Sequence, residues 1–226
     1  CEASSLSNVG GVKWVPNAEP PLAAQNLFSP NLANYPFGIG LIPTGRCTYG
    51  NADDLIMVGT NLVNGLLRKW GVNSSMSCPT GLRTVFTLLF GNGFTNAKGL
   101  AIGDFNGGGA FGVYLAEQNG AEGAVGKIWR VTATSPNNYS SSVLFSSGFN
   151  LPHSVVFDPY SQRMFVSEYR VAAPGTGAPG QIWRVKPDGT RELLATKLNK
   201  PTGIALLPTG VMVVVEQESS RLTVID

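Results

Sequence analysis

One unit of sequence is written four times in this chain. Each copy passes from an apolar, β-prone run through a polar break to a small residue or proline, and then into a second apolar run. The copies are Leu27-Phe28 to Pro36-Phe37-Gly38-Ile39, Leu89-Phe90 to Ala97-Lys98-Gly99-Leu100, Leu144-Phe145 to Pro152-His153-Ser154-Val155, and Leu194-Ala195 to Pro201-Thr202-Gly203-Ile204. Their anchors at 36, 97, 152 and 201 lie 61, 55 and 49 residues apart. A unit this small cannot bury its apolar surface alone, so it must stack on its neighbours. A period of about fifty, with short β runs inside each unit, is the signature of β-propeller blades.

The order within a unit also recurs. Strand one follows the anchor, as in Gly203-Ile204-Ala205-Leu206-Leu207, and ends at a turn such as Pro208-Thr209-Gly210 or Asp158-Pro159-Tyr160-Ser161. Proline and glycine supply the dihedrals such turns require. Strand two ends on a carboxylate: Val113 to Glu117, Met164 to Glu168, Val213 to Glu216. Strand three reads Lys127-Ile128-Trp129-Arg130-Val131, Gln181-Ile182-Trp183-Arg184-Val185 and, more briefly, Arg221-Leu222-Thr223-Val224. Strand four is Val143-Leu144-Phe145 or Glu192-Leu193-Leu194-Ala195. Alternation of apolar and polar side chains predicts half-buried antiparallel strands. Leu62 to Trp70 has a helical look, but the repeat frame makes it a strand three.

The strand count predicts closure. The fourth unit has three strands when the sequence reaches Asp226, and a candidate for the missing outer strand stands at Leu22 to Phe28. The expected fold is therefore all-β: a propeller of four blades, each of four antiparallel strands, closed by an amino-terminal strand that completes the last blade and removes its exposed edge. Residues 1–20 form an arm and 21–226 a single propeller domain.

Composition narrows the function classes. Only 13% of the 226 residues are charged and the net charge is +2. With no basic run there is no nucleic-acid surface. No apolar stretch approaches the ~18 residues of a membrane span. Gly 28 and Pro 15 suit turns rather than helices.

The chain starts at Cys1 with no initiator Met, which reads as a mature chain whose signal peptide is gone. Low charge and abundant Asn, Ser and Thr suit an extracellular or cell-surface location. The sequons at Asn73 and Asn138 are candidate glycosylation sites. Cysteines at 1, 47 and 78 make one pair and a remainder. Cys47 falls between strands one and two of the first unit and Cys78 between strands three and four, loops that leave an up-and-down sheet on the same side. A Cys47–Cys78 disulfide is expected, closing about thirty residues and contributing roughly 3–4 kcal/mol. Cys1 is then left to join another chain, carry a lipid, or remain inert.

The wording Leu151-Pro152-His153-Ser154-Val155-Val156-Phe157-Asp158-Pro159, Met164-Phe165-Val166-Ser167-Glu168 and Gly180-Gln181-Ile182-Trp183-Arg184-Val185-Lys186-Pro187-Asp188-Gly189 resembles the NHL and gluconolactonase/strictosidine synthase-like propellers, the sorbosone dehydrogenase type among them. That resemblance covers about 190 residues as repeats and implies blade geometry. It also implies a lactonase or quinone-dehydrogenase activity in some members, whose hydrolases hold a divalent metal on acidic and Asn ligands. No residue here matches those ligands one for one, and the group usually has six blades where this chain has room for four.

Candidate site residues follow from the frame. Phe37, Lys98, His153 and Thr202, each next to an anchor, should ring one mouth of the channel, and Glu117, Glu168 and Glu216 end strands whose loops open there. Such a set offers ligand contacts and acid–base groups. The competing reading makes each carboxylate a partner of a polar group in strand three, Arg130 or Arg184. Tyr169 and the loops Gln118 to Gly126 and Tyr169 to Gly180, each with a single charged residue, form a binding surface. Asp104-Phe105-Asn106-Gly107-Gly108-Gly109 looks like a calcium loop but lacks its distal Glu, so a glycine-rich turn is expected. No cofactor motif, metal cluster or catalytic site is found, and one histidine disfavours a Ser-His-Asp triad.

These readings point to a secreted, non-enzymatic propeller that binds other protein chains, copies of itself included, and assembles into an extracellular or cell-surface polymer. The alternatives are an enzyme of the lactonase or quinone-dehydrogenase type, working through Glu168, His153 and Glu117, and a glycan-binding propeller.

Overall fold

In a computed structural model of the protein, side chains are described at residues 94, 96–105, 112–118, 125–132, 143–158, 160–169 and 179–226, and strand backbone is described at some further positions. Two short amino-terminal pairs come first: β1 (Glu2–Ala3) with β2 (Gly10–Gly11), and β3 (Lys13–Trp14) with β4 (Gln25–Asn26). A four-stranded antiparallel sheet follows, in the order β5 (Tyr35–Ile42), β6 (Asp54–Asn61), β7 (Asn64–Gly71) and β8 (Leu88–Phe94). The stretch with helical appearance is therefore a strand three, as the repeat frame requires. The second sheet holds β9 (Ala97–Gly103), β10 (Gly112–Glu117), β11 (Gly126–Ser135) and β13 (Val143–Phe149), with the short β12 (Asn138–Tyr139) on the far end of β11. The third runs β14 (Pro152–Asp158), β15 (Arg163–Glu168), β16 (Gly180–Val185) and β17 (Arg191–Leu198). The last contains β18 (Pro201–Leu206), β19 (Met212–Glu216) and β20 (Arg221–Ile225). The chain is all-β, built of antiparallel sheets of three or four main strands.

Local chemistry sets the hairpins. Lys186-Pro187-Asp188-Gly189-Thr190 and Leu207-Pro208-Thr209-Gly210-Val211 close with the same pair of backbone bonds, each with a glycine at positive φ in the fourth place (Gly189 83°, Gly210 88°). The Asp188 carboxylate also accepts from the Thr190 N–H at 2.9 Å and its hydroxyl at 2.7 Å.

The sheets pack face to face. Along β10, Val113 and Leu115 join a cluster with Phe94, Leu100 and Val131, while Tyr114 and Ala116 face the opposite cluster with Met164, Val166 and Phe149. On β15, Met164 and Val166 share that second cluster, and Phe165 turns to a third with Met212 and Val214 of β19. Strand two of a middle sheet is thus buried on both faces, not half-buried. Its alternation sorts side chains between two neighbouring sheets rather than between core and water. The first strands line up in sequence order, β9 lying beside β5 and β14, and β14 beside β18.

Glycine sets the spacing between units. A Cβ on Gly126 would lie 2.2 Å from Cδ of the anchor Pro152, and one on Gly180 2.1 Å from Cδ of Pro201. The first residue of strand three is bare so that the next unit's proline can seat on it.

One expectation is corrected. The strand sought at Leu22 to Phe28 contributes Gln25–Asn26 to a pair with Lys13–Trp14 and not to β20, and the last sheet has three strands among the described residues. Chain entropy favours that pairing: closing about a dozen residues costs roughly 2–3 kcal/mol less than closing about two hundred.

Gly180→Ala is expected to destabilise the protein by about 1–3 kcal/mol through overpacking against Pro201, read as a lower urea midpoint. Ala at Gly210, where a Cβ meets nothing within 4 Å, should cost only its positive-φ penalty of about 1 kcal/mol.

Candidate functional site

The three anchors with described surroundings share one construction. The residue before each anchor is left-handed without being glycine: Asn96 (φ 51°), Leu151 (56°) and Lys200 (51°). Its carbonyl accepts the N–H of the residue that follows the strand-two carboxylate: Gln118 to Asn96 at 3.2 Å, Tyr169 to Leu151 at 3.0 Å, Gln217 to Lys200 at 3.1 Å. This bond ties the end of strand two to the start of strand one, placing Lys98, His153 and Thr202 at the same end of their sheets. Phe37 lies in β5, where the backbone alone is described.

The carboxylates are buried and turn toward strand three. Glu117 accepts from Trp129 Nε1 at 2.6 Å, and Glu168 accepts from Trp183 Nε1. The registers Leu115↔Trp129 and Val166↔Trp183 explain this. Each tryptophan sits diagonally from the carboxylate on the same face, within reach of a long side chain. The fourth unit has Thr223 at that position, a shorter donor that shares the carboxylate with others. Glu216 there accepts from Thr223 Oγ1, from the Asn199 N–H, and from Arg221, whose Nε is at 2.8 Å and Nη2 at 3.2 Å.

The polar partner expected in strand three is present, but in the middle sheets it is tryptophan. Arg184 pairs with Glu192 instead, and the Arg130 guanidinium lies 5.7 Å from the centre of the Phe145 ring. The signal was legible: both strands read Ile-Trp-Arg-Val, and the indole N–H is a donor that stays neutral in an apolar layer.

Burial pushes the Glu216 carboxyl up. The hydrogen bonds from Arg221, Asn199 and Thr223, with the guanidinium charge, outweigh that and bring its pKa to about 2.

His153 is placed differently. Its Nδ1 lies 3.1 Å from the Thr202 carbonyl oxygen, an acceptor, so Nδ1 carries the proton. Ser167, fully buried, donates to the same carbonyl at 3.2 Å and accepts from the Ser154 N–H at 2.9 Å. The imidazole stacks on Tyr169 with centroids 6.2 Å apart. Burial lowers its pKa first, the Lys98 charge lowers it further, and the bond to Thr202 raises it by less, so the ring is neutral at pH 7. Burial also lowers Lys98. Ser167 and the left-handed residues were missed in the sequence, since neither carries a compositional signal.

Other expected sites fall elsewhere. Cys1, Cys47, Cys78 and Asn73 lie outside the described residues, as do residues 119–124 and 170–178 of the two loops. Asn138 lies in β12. Asp104 is buried, Phe105 packs edge-on against Tyr114 and Phe157, and residues 106–109 of the glycine-rich turn are outside the described residues.

Acid should reveal the Glu216 network. Its folded pKa is depressed, so its stabilisation is fully present above the unfolded value of 4.5 and is lost as pH falls toward 2. Urea unfolding from pH 5 to 2 should show that loss. Glu216→Gln should be less stable by about 1.5–3 kcal/mol at pH 7 and show a flatter pH profile.

No family model and no curated protein matches this chain. Among solved structures it is similar to apocarotenoid oxygenase from Synechocystis, in a point-mutant form, with a TM-score of 0.50 and 13% identity, covering 98% of this chain and 57% of that one. A second point mutant of the same oxygenase matches at a TM-score of 0.44, again with 13% identity, over 86% of this chain and 50% of that one. The chain spans a little over half the length of the oxygenase, and at this identity the likeness is one of fold alone.

Proposed function

We propose that the protein is an extracellular, non-enzymatic interaction module: a propeller whose four sheets are its blades, which joins other chains, copies of itself included, into a larger assembly. The observation that carries this reading is a row of exposed apolar side chains on the outer strands. Val143 and Leu144 on β13, Leu193 and Leu194 on β17, and Leu222 (67% exposed) and Val224 (61%) on β20 recur in three successive sheets. Apolar groups exposed on the outermost described strand of each of three sheets, on a weakly charged surface, favour association. The strand-two carboxylates support the same reading, because a group that holds the blade together is poorly placed to carry a proton through a reaction. The blade count, the resemblance to NHL-type propellers and the outside-the-cell location are parts of this proposal. Cys1 supplies a covalent link between subunits. The oxygenase activity of the structural neighbour is not carried over.

Light scattering of the full chain, with and without reductant, tests the proposal. Masses above the 23.8 kDa of one chain are expected, falling in reductant if Cys1 crosslinks. The double substitution Leu222→Ser with Val224→Ser should shift the remaining assembly toward monomer. A monomer under both conditions contradicts the reading.

A further inference from the structure

The last sheet is apolar on both faces. The registers set Ala205, Val213 and Val224 in one cross-strand row and Val215 and Leu222 in the next, all on one face. Gly203 extends the second row, since a Cβ there would lie 3.3 Å from Val215 Cγ2. The opposite face packs Met212, Val214 and Ile225 on the third sheet. A sheet apolar on both sides is stable when both are covered, yet Val215 (42%), Leu222 and Val224 are exposed.

The preceding sheets show what kind of surface covers this face. In the third sheet the same two rows hold Val156, Phe165 and Arg184, then Ser167 and Ile182, and Phe165 and Ile182 are buried against Met212 and Val214 of the next sheet. In the second, Tyr114, Ala116 and Ile128 are buried against Met164 and Val166 in the same way. The open face is more apolar than either: Val224 replaces Arg130 and Arg184, and Val215 replaces Ala116 and Ser167. Its seat for a further unit is filled, however. Ser220 precedes Arg221 as Gly126 precedes Lys127 and Gly180 precedes Gln181, and a Cβ on either glycine would collide with the next unit's anchor proline. The partner that fits is an apolar sheet face carrying no anchor, and a second copy of this chain supplies one. We propose that the open face of the last sheet docks on the same face of a second copy, the two sheets closing about a two-fold axis like the halves of a sandwich. Such a pairing sets apolar rows against apolar rows and buries no charge within them. The inference rests on the assembly reading above and assigns it one contact surface.

Val215 lies on the inner strand β19, so it separates this face from the exposed outer strands. The full chain is studied as Cys1→Ser, which removes any link through that thiol. Light scattering should give twice the mass of one chain in concentrated solution, and Val215→Lys should give the mass of one chain at the same concentration with an unchanged circular dichroism spectrum. Val215→Cys tests the face without adding charge. Alkylation of that thiol, followed on its own peptide by mass spectrometry, should slow by about fivefold from dilute to concentrated solution as copies associate. A rate that is fast at every concentration means the face stays bare, and one that is slow at every concentration means it is covered within a single chain; either overturns the proposal. Association that persists undiminished in Val215→Lys but is lost in Leu193→Ser with Leu194→Ser overturns this contact and leaves the assembly reading standing. A parent chain that is monomeric throughout, with or without Cys1, overturns both.

Discussion

The second strand of each middle sheet is sealed on both faces, and much else follows from that. A strand in such a position has no wet side, so each of its side chains must find a partner in one neighbouring sheet or the other. Val113 and Leu115 go one way and Tyr114 and Ala116 the other, and Met164, Phe165 and Val166 divide likewise. A carboxylate at the end of such a strand is affordable only with a donor directed at it, because an unpaired buried charge costs several kcal/mol. Trp129, Trp183 and the Arg221–Thr223 pair supply those donors.

Contacts between sheets follow the same logic. Arg191 of β17 lies 4.6 Å from the Trp183 ring centre and 5.1 Å from that of Phe149, and donates to the Gly148 carbonyl in the preceding sheet. One guanidinium thereby joins two sheets and covers the indole that holds Glu168. With Pro152 and Pro201 seated on Gly126 and Gly180, this leaves little freedom for one sheet to slide on the next.

Much of this was legible in the residues. The spacing of the anchors, the Glu at the end of strand two and the repeated Ile-Trp-Arg-Val placed the strands correctly through the second, third and fourth units, and the apparent helix at Leu62 to Trp70 yielded to the repeat frame. Burial was misjudged because alternation looks the same whether the second face meets water or another sheet. The fate of Gln25–Asn26 was misjudged because strand counting ignores the entropy of bringing distant segments together. The sequence brought Lys98, His153 and Thr202 into one set at the start of their first strands, but it could not show that the Thr202 backbone carbonyl orients the imidazole. A backbone acceptor leaves no mark in composition.

The account stands on the claim that these carboxylates are structural donor-bound groups within stacked sheets. The most direct measurement is a double-mutant cycle on Glu168→Leu and Trp183→Phe, read by urea unfolding at neutral pH. A coupling energy of about 1–2 kcal/mol is predicted, because either substitution alone already breaks the bond. Strict additivity of the two losses would mean that Glu168 and Trp183 do not hold one another, and would return the carboxylate to the list of groups available for chemistry.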